Sequence, residues 1–477
     1  MEGAMPDSVS AHIAPADLSP ILDCQRAAFL RAGPPGAAQR RADLRRLKAE
    51  ILRRRTEIVQ ALKTDFGQRS ERESAIVELI PLVQSIDYLV RHLGRWMRPE
   101  RRHVSLYFRS GSAWVVRQPV GVVGIIAPWN YPVSLALVPL ATAIAAGNRA
   151  MIKPSELTPA TSAIIEKIVQ AVFPPQQVAV VTGDAELGAA FSALPFDHIL
   201  FTGSTAVGRK VAAAAARNLT PVTLELGGKS PAVIEPGFPM RRVADRMAFG
   251  KLTNAGQTCI APDYVLLHED DKESFATAYQ DAAGQLYPGG YVGSPDYTAI
   301  LNPHHYQRLN GLIQDAEAHG ARIIRMGSDS PADHVLAPVL LLDVTPEMAV
   351  MQEEIFGPIL PVVTYRTPEE AIAFINARPR PLALYYFGDN PSVRDRVLKN
   401  TISGNVTLNG TLLHIAQDDL PFGGVGDSGI GAYHGKEGFV ALTHPRGIYR
   451  QGRFNAATLL QPPFGKITDF ITNFILR

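Results

Sequence analysis

Hydrophobic and polar positions along the chain change their period several times. Over 17–99 the apolar residues recur at helical spacing, and Leu44, Leu47, Ile51, Ile58 and Leu62 form one such stripe. The intervening arginines of "RRADLRRLKAEILRRR" then form the outer, solvated face of an amphipathic helix. The run "RRHVSLYFRSGSAWVVRQPVG" resembles a hairpin, two extended stretches about the turn "RSGS" with no evident partner in their own sheet. From there the pattern alternates. "GVVGIIA", "RAMIK", "VAVVTG", "HILFTG" and "VTLELG" are short apolar strands, and the segments between them are helical. "LALVPLATAIAAG" is a helix closed by Gly147, and "TPATSAIIEKIVQAVF" one opened at Thr158 with Pro159 in its first turn. A second series after residue 226 places helices near 239–252, 270–286 and 303–319, and strands at "YVLL", "LPVVTY" and "LALYYFG". Strands apolar on both faces, alternating with helices, predict an α/β fold with two doubly wound parallel-sheet domains and a small β element.

Length and composition sharpen this picture without changing it. A chain of 477 residues exceeds one comfortable core. With 46% hydrophobic and 19% charged residues it reads as soluble and globular, and a net charge of +2 gives no global pull toward nucleic acid or anionic lipid. The arginine-rich run lacks interleaved aromatics, so it is a solvated helix face rather than a nucleic-acid patch. No stretch approaches the ~18 uninterrupted apolar residues of a membrane span. The N-terminus has no basic start followed by an apolar run. Two cysteines, Cys24 and Cys259, make neither a disulfide framework nor a cysteine-rich metal site, and no metal is called for. A cytoplasmic protein is expected.

The candidate chemistry gathers at strand ends. Cys259 sits in "NAGQTCIAP"; alone, such a cysteine reads as a small buried hydrophobe. Gly203 and Ser204 follow the strand "HILFT" and open a helix, where a phosphate can meet backbone N–H groups. The spacing departs from G-x-G-x-x-G, and an ordinary tight turn fits equally well. Lys153 and Glu156 in "KPSE" suit ribose hydroxyls, or make a charged loop. Glu225 ends an apolar strand, where open α/β sheets build their sites, or faces solvent ahead of a turn. Partial burial would raise its pKa toward the range of a general base. A thiolate captures carbonyl carbon well, and a cysteine with a carboxylate but no evident histidine suits an aldehyde better than a peptide.

The motifs "PWNYP" (128–132), "KPSE" (153–156), "FTGSTAVG" (201–208), "LELGGKSP" (224–231), "GQTCIAPDYVL" (256–266), "EEIFGP" (353–358) and "LPFGGVGDSGIG" (420–431) stand in the order of the aldehyde dehydrogenase superfamily, which the chain resembles from about residue 25 to 445. "APDYVL" and "YHGKEGF" are similar to the class 3 and coniferyl aldehyde dehydrogenase branch. The resemblance implies that Cys259 is the nucleophile, Glu225 the base for deacylation and Asn130 an oxyanion donor. Trp129, Lys153, Glu156, Gly203, Ser204, Glu354 and Phe356 would hold NAD, with NADP also accepted. It further implies an NAD(P)-binding domain of residues 1–101 and 120–225, an oligomerisation hairpin at 102–119 and a catalytic domain at 226–435. A C-terminal oligomerisation segment would follow at 436–461, and an amphipathic helix at 462–477. A homodimer oxidising a small-molecule aldehyde, with neither nucleic acid nor an integral membrane span, is the expected whole. Its aldehyde is aromatic or phenylpropanoid, or medium-to-long-chain aliphatic. A coenzyme A-acylating relative and a catalytically silent homologue are the alternatives. Intact Cys259 and Glu225 weigh against the silent one, and Glu225 in "LELGG" favours water over coenzyme A.

Remaining features carry no chemistry at this stage. Cys24, His414 and His434 match no required role, so surface or structural positions are expected for the histidines. The glycines of "FGGVGDSGIG" let backbone pass close to the site. In "PPFGKITDFITNFILR", Ile467, Phe470, Ile471, Phe474 and Ile475 share one helix face, flanked by Lys466 and Arg477. So few cations give little attraction to anionic lipid, which favours docking on protein. Some relatives cap the substrate entrance with such a helix.

Overall fold

The computed structural model describes residues 14–453, 458–459 and 461–476. Parts of the expected segments 1–101 and 436–461, together with Arg477, lie outside the described residues. Helices fill the chain from Leu18 to Trp96; Leu18–Ala32 packs on strands of the first sheet, while Ala37–Arg53 and Ile80–Trp96 pack on the helix Ser134–Ala146. Leu44, Leu47, Ile51, Ile58 and Leu62 are buried, as their spacing predicts. The arginine face is corrected at one end. Arg40 is only 3% exposed, because its guanidinium reaches inward to the carbonyls of Pro35 (2.8 Å) and Ala145 (2.9 Å). Periodicity assigns a face, but it does not say what lies across it.

The first sheet has six strands, in the order Gly429–Ile430, Val222–Glu225, His198–Thr202, Val122–Ile126, Arg149–Lys153 and Val178–Val180. All pair in parallel except Gly429–Ile430, which lies antiparallel to Val222–Glu225. Strand order reverses beside Val122–Ile126, the place where doubly wound sheets open a crevice at their carboxyl ends. The second sheet has seven strands, in the order Arg322–Arg325, Val339–Leu342, Ile359–Tyr365, Tyr264–His268, Pro231–Ile234, Ala383–Phe387 and Asn405–Leu408. There Arg322–Arg325 is the antiparallel edge. Gly147 closes its helix in the left-handed conformation at φ 89°.

The expected hairpin is only partly present. Its first strand is three residues, Glu100–Arg102, and Leu106–Phe108 turns into a 3-10 helix. Ser112–Pro119 does have a further partner in its own chain, Thr443–Arg450, which completes a three-stranded antiparallel sheet. That pairing spans most of the sequence, so no local pattern announces it. Among the described residues no helix is long and apolar enough to cross a membrane.

Candidate active site

The crevice is built by loops that leave adjacent strand ends. After Val122–Ile126 the chain runs through Trp129 and Asn130 into the buried helix Ser134–Ala146. That loop is clamped. Arg69 donates to the Asn130 carbonyl (3.1 Å) and pairs with Glu78 (3.0 Å), both side chains fully buried. Glu78 in turn accepts from the backbone N–H groups of Val133 (2.9 Å) and Ser134 (3.0 Å), at the start of the helix. The Asn130 amide donates to the Gln257 carbonyl at 3.1 Å. An amide nitrogen carries two hydrogens, so one remains for a ligand.

Cys259 follows a strained turn. Asn254 and Ala255 take φ of 52° and 51°, a region costly for side chains other than glycine. A web of bonds holds it: Asn254 N–H to Glu73 (3.0 Å), the Gln257 amide to Ala299 O (3.0 Å), and Leu301 N–H to the Gln257 side chain (3.0 Å). Tyr131 and Thr258 share a hydroxyl hydrogen bond at 2.6 Å. Burial, then the neighbouring Glu354 and Glu225, push the Cys259 thiol up to about 12. Glu225 ends its strand with both carboxyl oxygens buried and unpartnered, and burial raises its pKa well above the ordinary value. Thr202 stands opposite it in the parallel register.

Cys259 and Glu225 open onto one cavity of about 230 Å³, otherwise largely apolar, with Ile76, Leu135, Val138, Leu412 and Phe422 in its walls. The glycine-rich segment passes tightly behind it. Leu226 N–H bonds Ser428 O at 3.1 Å, and a side chain at Gly424 would strike the Ser428 backbone.

Near Cys259, partly buried Glu354 has its pKa raised to about 8 by desolvation and then by Asp263, and it fills the notch left by Gly227. Its loop is pinned by Lys229, which pairs with Asp263 and donates to Val350 O (2.8 Å) and Glu353 O (3.0 Å). Asp263 accepts from Ile355 N–H at 2.9 Å. Phe356, at φ 52°, meets Trp129 edge-on with 5.3 Å between centroids. Lys153, buried at the end of Arg149–Lys153, pairs with half-exposed Glu156. Ser204 caps the helix Thr205–Ala216 through Val207 N–H (3.4 Å), directly after Gly203. Lys153, Gly203 and Ser204 thus stand at strand ends of the first sheet, on either side of the order reversal. A capped helix N-terminus, a buried lysine and a carboxylate in that crevice fit a dinucleotide.

Sequence reasoning missed Arg69, Glu73, Glu78 and Gln257, which hold the loops of Asn130 and Cys259. The charges of Arg69, Glu73 and Glu78 in "QRSERESAIVE" resemble any exposed helix, and only the tertiary fold buries Arg69 and Glu78. His414 and His434 are both buried rather than on the surface. Exposed Cys24 stands outside the site.

A half-buried thiol and a buried carboxyl on one largely apolar cavity, beside a crevice that fits a dinucleotide, point to a class: the nicotinamide-dependent oxidoreductases. The pattern of the aldehyde dehydrogenase family matches residues 11–448, and the chain belongs to that family as an NAD(P)-dependent enzyme. Similar relatives include a probable coniferyl aldehyde dehydrogenase of Pseudomonas aeruginosa, 50% identical over 94% of each chain. The coniferyl aldehyde dehydrogenase of a Pseudomonas species is 43% identical over 96% of each. Among solved structures, the substrate-bound state of Staphylococcus aureus AldH aligns with TM-score 0.92 and 38% identity, covering 96% of this chain and 99% of that one. A Mycobacterium tuberculosis aldehyde dehydrogenase complexed with NAD+ aligns with TM-score 0.83 and 28% identity, covering 92% and 90%.

Proposed function

We propose that this enzyme oxidises aryl and phenylpropanoid aldehydes of the coniferyl type to carboxylic acids, with water rather than coenzyme A as the acyl acceptor. The observation that carries the reading is the shared tunnel, with Cys259 and an unpartnered Glu225 on one apolar cavity. In this reading the Cys259 thiol releases its proton to solvent, and the thiolate sulfur adds to the carbonyl carbon. The π electrons move onto oxygen, which accepts from the free Asn130 amide hydrogen and the Cys259 backbone N–H. As the oxyanion collapses to a thioester, hydride leaves the carbon; bound nicotinamide supplies its acceptor. Glu225 then takes a proton from water as it attacks the thioester, the acid forms, and the thiolate leaves.

Lys153 and Glu156 would hold the adenine-side ribose, with Gly203 and Ser204 at the pyrophosphate. Glu354 would hold the nicotinamide ribose, with Phe356 and Trp129 beside the ring. A carboxylate at Glu156 accepts ribose hydroxyls and repels a 2′-phosphate, so NAD+ is preferred and NADP+ usable. We place the enzyme in the cytoplasm, in keeping with two unpaired cysteines, and as a homodimer joined through the small sheet. The test is full NADH formation without coenzyme A, with kcat/KM compared for coniferyl aldehyde, benzaldehyde, hexanal and a long-chain aldehyde. Dependence on coenzyme A, or a preference for the aliphatic aldehydes, would overturn it.

A further inference from the structure

The wall of the cavity that holds Cys259 also carries a polar group that the chemistry does not use. His434 lies on this wall, and its ring also borders a narrow void formed with Ser85, Tyr88 and Asp418. The imidazole is fixed in place: it stacks on Phe422 at 5.0 Å and 26°, and meets Tyr433 at 4.5 Å and 76°. Its Nδ1 is buried without a hydrogen-bond partner. Of its polar neighbours, His414 also keeps a buried Nε2 without a partner, while those lining the void are committed. Ser85 donates its hydroxyl to Asp418 at 2.5 Å, and Tyr88 bonds Asp419. The facing side is hydrocarbon, from Ile76, Val77, Pro81, Leu135 and Val138.

Since Nδ1 is closed off from the cavity, the ring meets a ligand through its other nitrogen, and an aldehyde bearing only carbon there leaves that nitrogen without a partner. We propose that His434 is a specificity-determining residue that hydrogen-bonds a hydroxyl on the far end of the substrate's aromatic ring, while Phe422 and Tyr433 pack on the ring itself. Burial holds the imidazole pKa down at about 4, so at neutral pH it is uncharged and presents one acceptor and one donor nitrogen. A phenolic O–H donates to the acceptor nitrogen. The proposal rests on the tunnel being the aryl aldehyde site, and it adds which atom reads the substituent.

The experiment compares kcat/KM at pH 7 for 4-hydroxycinnamaldehyde, 4-methylcinnamaldehyde and cinnamaldehyde, in the wild type, His434→Phe and His434→Asn. The hydroxyl and methyl compounds have similar size, so their ratio reports the hydrogen bond. The wild type should favour 4-hydroxy over 4-methyl by roughly tenfold, mostly through KM. His434→Phe should bring that ratio near unity, and His434→Asn, which can still bond a hydroxyl, should restore part of it. A wild-type ratio near unity, or a His434→Phe loss equal for all three aldehydes, would overturn the proposal while leaving the aryl reading standing. Failure to oxidise any of the three while hexanal turns over would overturn both. Should neither variant fold, the wild type decides through inhibition by the matching acids: 4-hydroxycinnamate binding no tighter than 4-methylcinnamate would overturn the proposal.

Discussion

Cys259 and Glu225 face the same difficulty, since burial makes each hold its proton more tightly. Both must lose one for the reaction to proceed. The sign is therefore fixed: groups with raised pKa are spent at low pH and gain competence as pH climbs, so kcat/KM should rise from neutral into alkaline pH. A flat profile across that range, measured under saturating cofactor, would place the proton acceptor elsewhere. Cys259→Ala should abolish both dehydrogenase and esterase activity, because both pass through the acyl-enzyme. Glu225→Gln should instead slow turnover by about 10²–10⁴, the usual worth of a positioned base. A stoichiometric burst of NADH in rapid mixing would mark the stalled thioester. Wild-type turnover in that variant would remove Glu225 from the mechanism.

Between residues and the whole lies the buried pair that ties the helical N-terminal region to the Asn130 loop. Arg69 and Glu78 compensate one another where neither could stand alone. Removing one leaves the other charged and dry, a loss of about 3–5 kcal/mol. Arg69→Met should therefore lower the melting temperature. It should also reduce esterase and dehydrogenase kcat by a similar factor, since both use the same oxyanion hole; an unchanged kcat in the folded variant would confine the pair to stability. At this scale the sequence was most readable where chemistry and period coincide. The strands ending at Lys153, Thr202 and Glu225 and the helix opened by Thr158 and Pro159 carry their own start and stop signals. Cys259, Glu225 and Glu354 were legible through ordered motifs. Arg40, Arg69 and Glu78 were not, because burial of a charge depends on groups far along the chain. The pairing of Ser112–Pro119 with Thr443–Arg450 was hidden for the same reason.

At the scale of the whole molecule, the small sheet and the last described helix each leave a surface open. The three-stranded sheet ends in edges at Glu100–Arg102 and Thr443–Arg450. The helix Lys466–Ile475 turns Ile467, Phe470 and Phe474 outward, each more than 60% exposed. Unpaired strand edges and a contiguous apolar face are both features that soluble proteins cover. Light scattering at micromolar concentration should report a dimer, and a monomer would count against the small sheet as its seam. Deleting residues 464–477 should shift the ranking of bulky against small aldehydes if the helix docks near the tunnel mouth of the partner. An unchanged ranking with an unchanged oligomeric state, or quantitative binding of the intact protein to liposomes, would dismiss that docking.

The antiparallel strand Gly429–Ile430 has a consequence in time. It closes the edge beside Glu225, yet it is made roughly two hundred residues later, some ten to forty seconds of ribosomal synthesis at typical rates. Until then the strand ending at Glu225 has an open flank, and Leu226 N–H lacks the Ser428 carbonyl it bonds in the finished protein. The nascent chain must keep that flank from pairing elsewhere while the second sheet emerges. A chain cut short before Gly429 holds both Cys259 and Glu225 and still lacks the wall that makes them a site.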